Sequence, residues 1–90
     1  MNNRDILMIL KIDLQISSDK MDDYLENKIE QARDRIKREG ITLGEESISD
    51  GMLLSDYAAH LYRHRKTGEP MPRDLRWALN NRLMSEKGRG

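Results

Sequence analysis

The stretch from Tyr57 to Leu83, YAAHLYRHRKTGEPMPRDLRWALNNRL, constrains this chain most, because it fixes where one helix must stop and another must start. Tyr57, Ala58, Leu61 and Tyr62 recur at helical spacing and run into a basic cluster. Thr67-Gly68-Glu69-Pro70 then ends that helix. Glycine accepts the left-handed backbone of a helix C-terminus, and Pro70 holds the residue before it extended. Pro72 suits the first position of a new helix, since its missing N–H would have had no partner there. Leu75, Ala78, Leu79 and Leu83 form the apolar stripe of that helix, with Asn80 and Asn81 on its polar side. Trp77 is expected to pack, with its indole N–H at an edge. The result is a helical hairpin that the rest of the chain must cover.

The longest regular pattern lies before it. Ser17-Ser18-Asp19 offers N-caps and Gly40 a C-terminal stop, and between them Met21, Leu25, Ile29, Ala32 and Ile36 recur every three or four residues beside Tyr24. Asp22, Glu26, Glu30 and Asp34 form an acidic stripe on the same helix, where like charges one turn apart repel. Arg33, Lys37 and Arg38 answer part of it from within. Upstream, Asn2 or Asn3 caps a short helix through Ile6, Leu7, Ile9 and Leu10, after which Ile12, Leu14 and Ile16 alternate with Asp13 and Gln15 and predict an extended connector. Downstream, residues 41–46 read as a loop. Ser47 to Asp50 fits a capping box in which Ser47 caps and Asp50 reaches back. The helix that follows runs to about Lys66, burying Met52, Leu53, Tyr57, Ala58, Leu61 and Tyr62, and the small pair Ala58-Ala59 permits close approach of another helix. The expectation is an all-α fold: a single small domain over residues 1–84, made of a short N-terminal helix, one long helix and the C-terminal hairpin. Residues 85–90 are expected as a flexible tail.

Composition limits the core. Ninety residues, 37% hydrophobic and 36% charged, with no Phe, one Trp and three Tyr, leave a small core of Leu, Ile, Met and Ala. Oligomerisation would relieve such marginal stability. There is no Cys, which excludes disulfides and thiolate chemistry, and no apolar run approaches the roughly 20 residues of a membrane span. An intracellular protein with no membrane partner is expected. Net charge is zero but unevenly placed: residues 1–50 carry 8 Lys/Arg against 12 Asp/Glu, a net of −4, and residues 51–90 carry 8 against 4, a net of +4. The halves attract, either within one chain or between copies.

Catalytic signals are weak. Asp56, His60 and His64 lie at successive i,i+4 positions, a spacing that can aim two imidazoles at one metal, but position 61 is Leu where a zincin motif needs Glu, and no further His or Cys completes a site. The histidines read instead as cationic residues near a helix C-terminus, favoured by its dipole. Serines sit at helix caps without a His and acid in any local signature, and Gly40 to Gly44 does not match a phosphate loop. No enzyme activity, metal or cofactor is expected. Arg63, Arg65, Lys66, Arg73 and Arg76 gather positive charge around the hairpin turn, which suits phosphates or an acidic protein surface. The connection through Gly68-Glu69-Pro70-Met71-Pro72 is too long for a sequence-reading helix-turn-helix, and zero net charge argues the same way.

In layout the chain resembles the head-to-tail connector proteins, also called DNA-packaging adaptors, of long-tailed bacteriophages and prophages. The resemblance rests on Lys11-Ile12-Asp13 leading into the long helix, the Ile29 to Ala32 rhythm, the Leu61-Tyr62-Arg63-His64-Arg65 element, and the Pro-started helix from Met71-Pro72 to Arg82-Leu83. It implies a non-catalytic virion protein, assembled in the host cytoplasm as a ring of about a dozen copies between portal and tail-side connector proteins. It also implies a conduit for the genome during packaging and ejection, with non-specific contact to passing double-stranded DNA. Asp22, Glu26, Glu30 and Asp34 on one side, and Arg63, Arg65, Lys66, Arg73 and Arg76 on the other, are then the expected subunit or portal contacts. The alternative is a small helical DNA-binding regulator of prophage origin, and beyond it a helical interaction module.

Overall fold

A computed structural model describes residues 2–64, 67–68 and 70–87. Among them are four helices, α1 (Asn3–Asp13), α2 (Asp22–Arg38), α3 (Ile48–Arg63) and α4 (Arg73–Lys87), and one 3₁₀ turn at Asp19–Met21, with no strand. The all-α expectation holds. α3 is the central element and touches α1, α2 and α4. Its small buried residues Gly51, Ser55, Ala58 and Ala59 let neighbours approach on more than one side, while Leu54 and Tyr57 fill the space between them. This breadth also explains a difference from the single-stripe reading: Met52 is exposed, and Leu54 and Ser55 are buried in its place.

Each helix boundary has a local cause. The Asn2 side chain caps α1 by accepting from the Asp5 N–H at 2.9 Å. α1 then continues to Asp13, so the alternation from Ile12 to Ile16 is not an extended connector. It closes as a Schellman motif: the Gln15 N–H donates to the Ile12 carbonyl at 3.1 Å and the Ile16 N–H to the Lys11 carbonyl at 2.9 Å, with Gln15 left-handed at φ 58°. That turn brings Ile16 back onto the core and leaves Ile12 in solvent. The pattern failed because apolar residues within so few positions satisfy both periods, and Gln gives no sequence sign of a left-handed cap.

Ser18 caps the 3₁₀ turn that feeds α2, accepting from the Lys20 N–H at 3.1 Å. Leu25, Ile29, Ala32 and Ile36 of α2 are fully buried, each large one contributing roughly 1.5–3 kcal/mol. Gly40 ends this segment at φ 94°, with the Ile41 N–H turned back to the Ile36 carbonyl and Ile41 buried beside it. Glycine is needed twice over, since a Cβ there would lie 3.3 Å from Leu83 Cδ1 of α4.

Ser47 caps α3 as expected, its hydroxyl accepting from the Asp50 N–H at 3.2 Å. Asp50 does not reach back to complete a capping box. Its carboxylate, 3% exposed, accepts from the Gly44 N–H at 2.7 Å and from Arg82 of α4. Arg82 also donates to the Thr42 carbonyl at 2.8 Å and to Glu86 at 3.2 Å, and Glu86 in turn accepts from the Thr42 N–H at 2.9 Å. The α2–α3 loop, the start of α3 and the end of α4 are thereby tied into one network. Burial alone would lower the Arg82 pKa, but the Asp50 and Glu86 carboxylates raise it above its ordinary value. Pro72 stands just before α4 and accepts from the Arg76 N–H at 3.0 Å, a cap rather than the first helical residue. Leu75 and Leu79 are buried and Leu83 packs beside them. α4 takes in Ser85 to Lys87, which the sequence assigned to a tail; residues 88–90 of that tail, like Glu69 of the turn, lie outside the described residues.

Gln15 at positive φ carries roughly 1 kcal/mol of strain that glycine lacks. Gln15→Gly is therefore expected to raise unfolding stability by about 0.5–1 kcal/mol in urea titrations. Unchanged or lower stability would show that the left-handed cap is not strained.

Candidate functional site

The two charge surfaces are placed by α2 and by the start and flanks of the hairpin. On the acidic face, Asp22 pairs with Lys11 of α1 at 2.7 Å, and Lys11 reaches Asp19 at 3.2 Å as well. The hydrogen bond that the Lys11 ammonium donates to Asp22, the largest influence, holds its pKa above the ordinary value. The Asn3 amide donates to Glu30 and accepts from Arg33, stitching α1 to α2. Asp34 pairs with Arg38 at 3.0 Å. Glu26 is exposed and pairs with no cation among the described residues. At the basic pole, Arg63 donates to the Asp13 carboxylate at 3.2 Å and Arg76 pairs with Glu39. Arg73 is exposed and makes no ion pair with a described residue, and Arg65 and Lys66 lie outside the described residues.

Arg63, Arg76 and Arg82 thus each join the basic half of the sequence to a carboxylate of the acidic half, across 50, 37 and 32 residues. The charge asymmetry is used inside the fold. What remains outward is less charge than the sequence suggested.

The structure parts the Asp56, His60 and His64 trio. Asp56 looks into a groove of about 270 Å³ lined by Asp13, Arg63, Asp74 and Leu75, whereas the His60 and His64 rings, 5.0 Å apart, face Lys28, Gln31 and Arg35 of α2. No three metal-ligating side chains come together among the described residues. Asp56 is exposed at the groove rim, yet partial desolvation by its walls, and then the charge of Asp13, push its carboxyl above the usual range; Arg63 pulls it back. A raised carboxylate pKa works against the folded state once pH exceeds it, and protonation at lower pH relieves this. Asp56→Asn is therefore expected to stabilise the fold slightly at pH 7, by about 0.5 kcal/mol or less. In thermal unfolding across pH the gain should fade as pH drops through the carboxylate range. A gain that grows toward acid would contradict this environment.

The outward apolar residues were missed by the sequence reading. Trp77 is 69% exposed and Met84 71%, on the side of α4 away from Leu75 and Leu79, and on α1 Met8 is 60% and Ile12 76% exposed. Trp77 is not a core residue. The signal was present in the spacing, since at 100° per residue Trp77 and Met84 share a face that the Leu75, Leu79 and Leu83 stripe does not include.

A family model described as phage gp6-like head-tail connector protein matches residues 5–81, from the first turn of α1 to the middle of α4. The chain belongs to this family. No curated protein and no solved structure matches it. The connector is therefore a structural protein of the phage head–tail junction and a component of the virion, and its family role implies contact with other head and tail proteins. The resemblance read from the helix layout is confirmed. No described helix of the connector is long and apolar enough to cross a membrane.

Proposed function

We propose that this connector is a non-catalytic subunit of a homo-oligomeric ring, about a dozen copies around a central hole, seated between portal and tail. The genome passes through that hole during packaging and ejection. The family match over residues 5–81 carries the reading. Three features support it: one small core cluster among the described residues, large apolar side chains left exposed on α1, α3 and α4, and a basic cluster in the sequence around the hairpin turn. In the ring, the acidic face of α2 with Asp22, Glu26, Glu30 and Asp34, and the basic pole with Arg63, Arg65, Lys66, Arg73 and Arg76, meet neighbouring copies or the portal. Charges already answered within the chain steer these encounters; among the described residues of this set, Glu26 and Arg73 make no ion pair and are available for new ones. DNA contact is through phosphates, without sequence preference and weakened by salt. The ring assembles in the host cytoplasm and remains in the virion.

Electron microscopy of the purified chain, alone and with its portal, is expected to show rings with a central hole. A tight dimer that binds one DNA sequence at nanomolar concentration would overturn the proposal and favour a regulator.

A further inference from the structure

We propose that the cleft between α2 and the end of α3, walled by Lys28, Gln31, Arg35, His60 and His64, binds a phosphate group. This deepens the DNA contact of the ring reading by giving a phosphate a place, and it uses residues outside the basic pole of Arg63, Arg73 and Arg76. The cleft measures about 330 Å³. Every polar side chain on its described wall carries N–H donors, and none of its described lining residues is a carboxylate. On α2 that is unexpected, because the helix is rich in acid. At about 100° per residue, Asp22, Asp23, Glu26, Glu30 and Asp34 fall on its other sides, while Lys28, Gln31 and Arg35 share the side turned to the α3 histidines.

The donors are already held in place. Lys28 Nζ lies 5.0 Å from the centre of the Tyr24 ring and donates to Gln31 Oε1 at 3.4 Å, which leaves the Gln31 NH2 as a donor. Tyr24 is itself set edge-on against Tyr62 of α3, with ring centres 6.1 Å apart. On the opposite wall the His60 and His64 rings are 5.0 Å apart, and a neutral imidazole still keeps one N–H. Main-chain oxygens at this end of α3 are satisfied within the chain: the His60 carbonyl accepts from the His64 N–H at 3.1 Å and the His64 carbonyl from the Gly68 N–H at 3.4 Å. Lys28 and Arg35 make no ion pair with a described residue, and like charges gathered on one wall repel. An oxyanion between the walls reverses that sign. Phosphate suits the cleft better than carboxylate. Its oxygens point in tetrahedral directions and take donors from both walls at once, whereas the two oxygens of a carboxylate lie in one plane and are met by a single guanidinium fork.

The test is a titration of the isotope-labelled full chain with inorganic phosphate, followed by NMR at constant ionic strength. Saturating shifts are expected at Lys28, Gln31, Arg35, His60 and His64. Lys28→Gln with Arg35→Gln should weaken binding at least about 10-fold, since each removes a charge-assisted hydrogen bond. Arg73→Gln, on the exposed start of α4, should leave it unchanged. Arg35 is exposed, so Arg35→Gln alone is expected to keep the parent thermal unfolding and still weaken phosphate. Mixed-sequence double-stranded DNA distinguishes the sources. The same shifts with DNA, lost in the double variant, would make backbone phosphates the ligand; cleft shifts with inorganic phosphate and none with DNA would support a free phosphate or a small phosphorylated molecule. Phosphate shifts that are spread over the surface, or unchanged in the double variant, would overturn the inference. So would acetate binding as tightly as phosphate, which would make the cleft a receptor for the carboxylates of a protein partner. Rings seen by electron microscopy without phosphate binding at the cleft would overturn this site and leave the ring reading standing.

Discussion

A carboxylate that is almost entirely buried must find charge and donors within the protein, and Asp50 finds both in Arg82 and the Gly44 N–H. The pair does not stand alone. Arg82 and Glu86 clasp the backbone of Thr42 from either side, so one network fixes the α2–α3 loop, the first turn of α3 and the last turns of α4. The apolar side of α4 adds Leu75, Leu79 and Leu83 against the same cluster, and Leu83 also comes close to Gly40. Leucines alone define a face but tolerate sliding along the axis. The directional bonds of Arg82 set the register of α4 against α3.

That register decides what the connector shows to its surroundings. With Leu75, Leu79 and Arg82 turned inward, Trp77 and Met84 must point out, because they lie on the opposite side of the same helix. The internal Arg–carboxylate pairs have a second effect. They answer part of the complementary charge of the two halves inside the fold, while exposed charges such as Arg4, Asp5, Glu26 and Arg73 make no ion pair with a described residue and apolar side chains of α1, α3 and α4 face solvent.

Much of the scaffold was legible because it is written in local chemistry. Asn2, Ser18 and Ser47 cap through their own side chains, Gly40 takes a backbone that other residues resist, and the α2 stripe from Leu25 to Ile36 repeats over several turns. What escaped was non-local or lacked a composition signal. Asp50 looked like half of a capping box, and nothing within a few residues of it announces a guanidinium 32 positions away. Gln15 adopts a cap conformation that Gly usually marks. Met52 and Leu54 exchanged roles because α3 is enclosed on several sides, where a single stripe is a poor guide. Trp77 was assigned to the core by residue type, although its spacing from Leu75 already placed it outside. The basic pole was legible as composition, but pairings such as Arg63 with Asp13 depend on which helices become neighbours.

The dependence of this arrangement on the buried pair is tested most directly by urea unfolding of Arg82→Met, Asp50→Asn and the double variant. Removing Arg82 alone strands a buried carboxylate and is expected to cost about 2–3 kcal/mol. Adding Asp50→Asn removes the stranded charge and should restore at least about 1 kcal/mol of that loss. If Arg82→Met unfolds within about 0.5 kcal/mol of the parent chain, the pair is a surface contact and the account of how α4 is held is wrong.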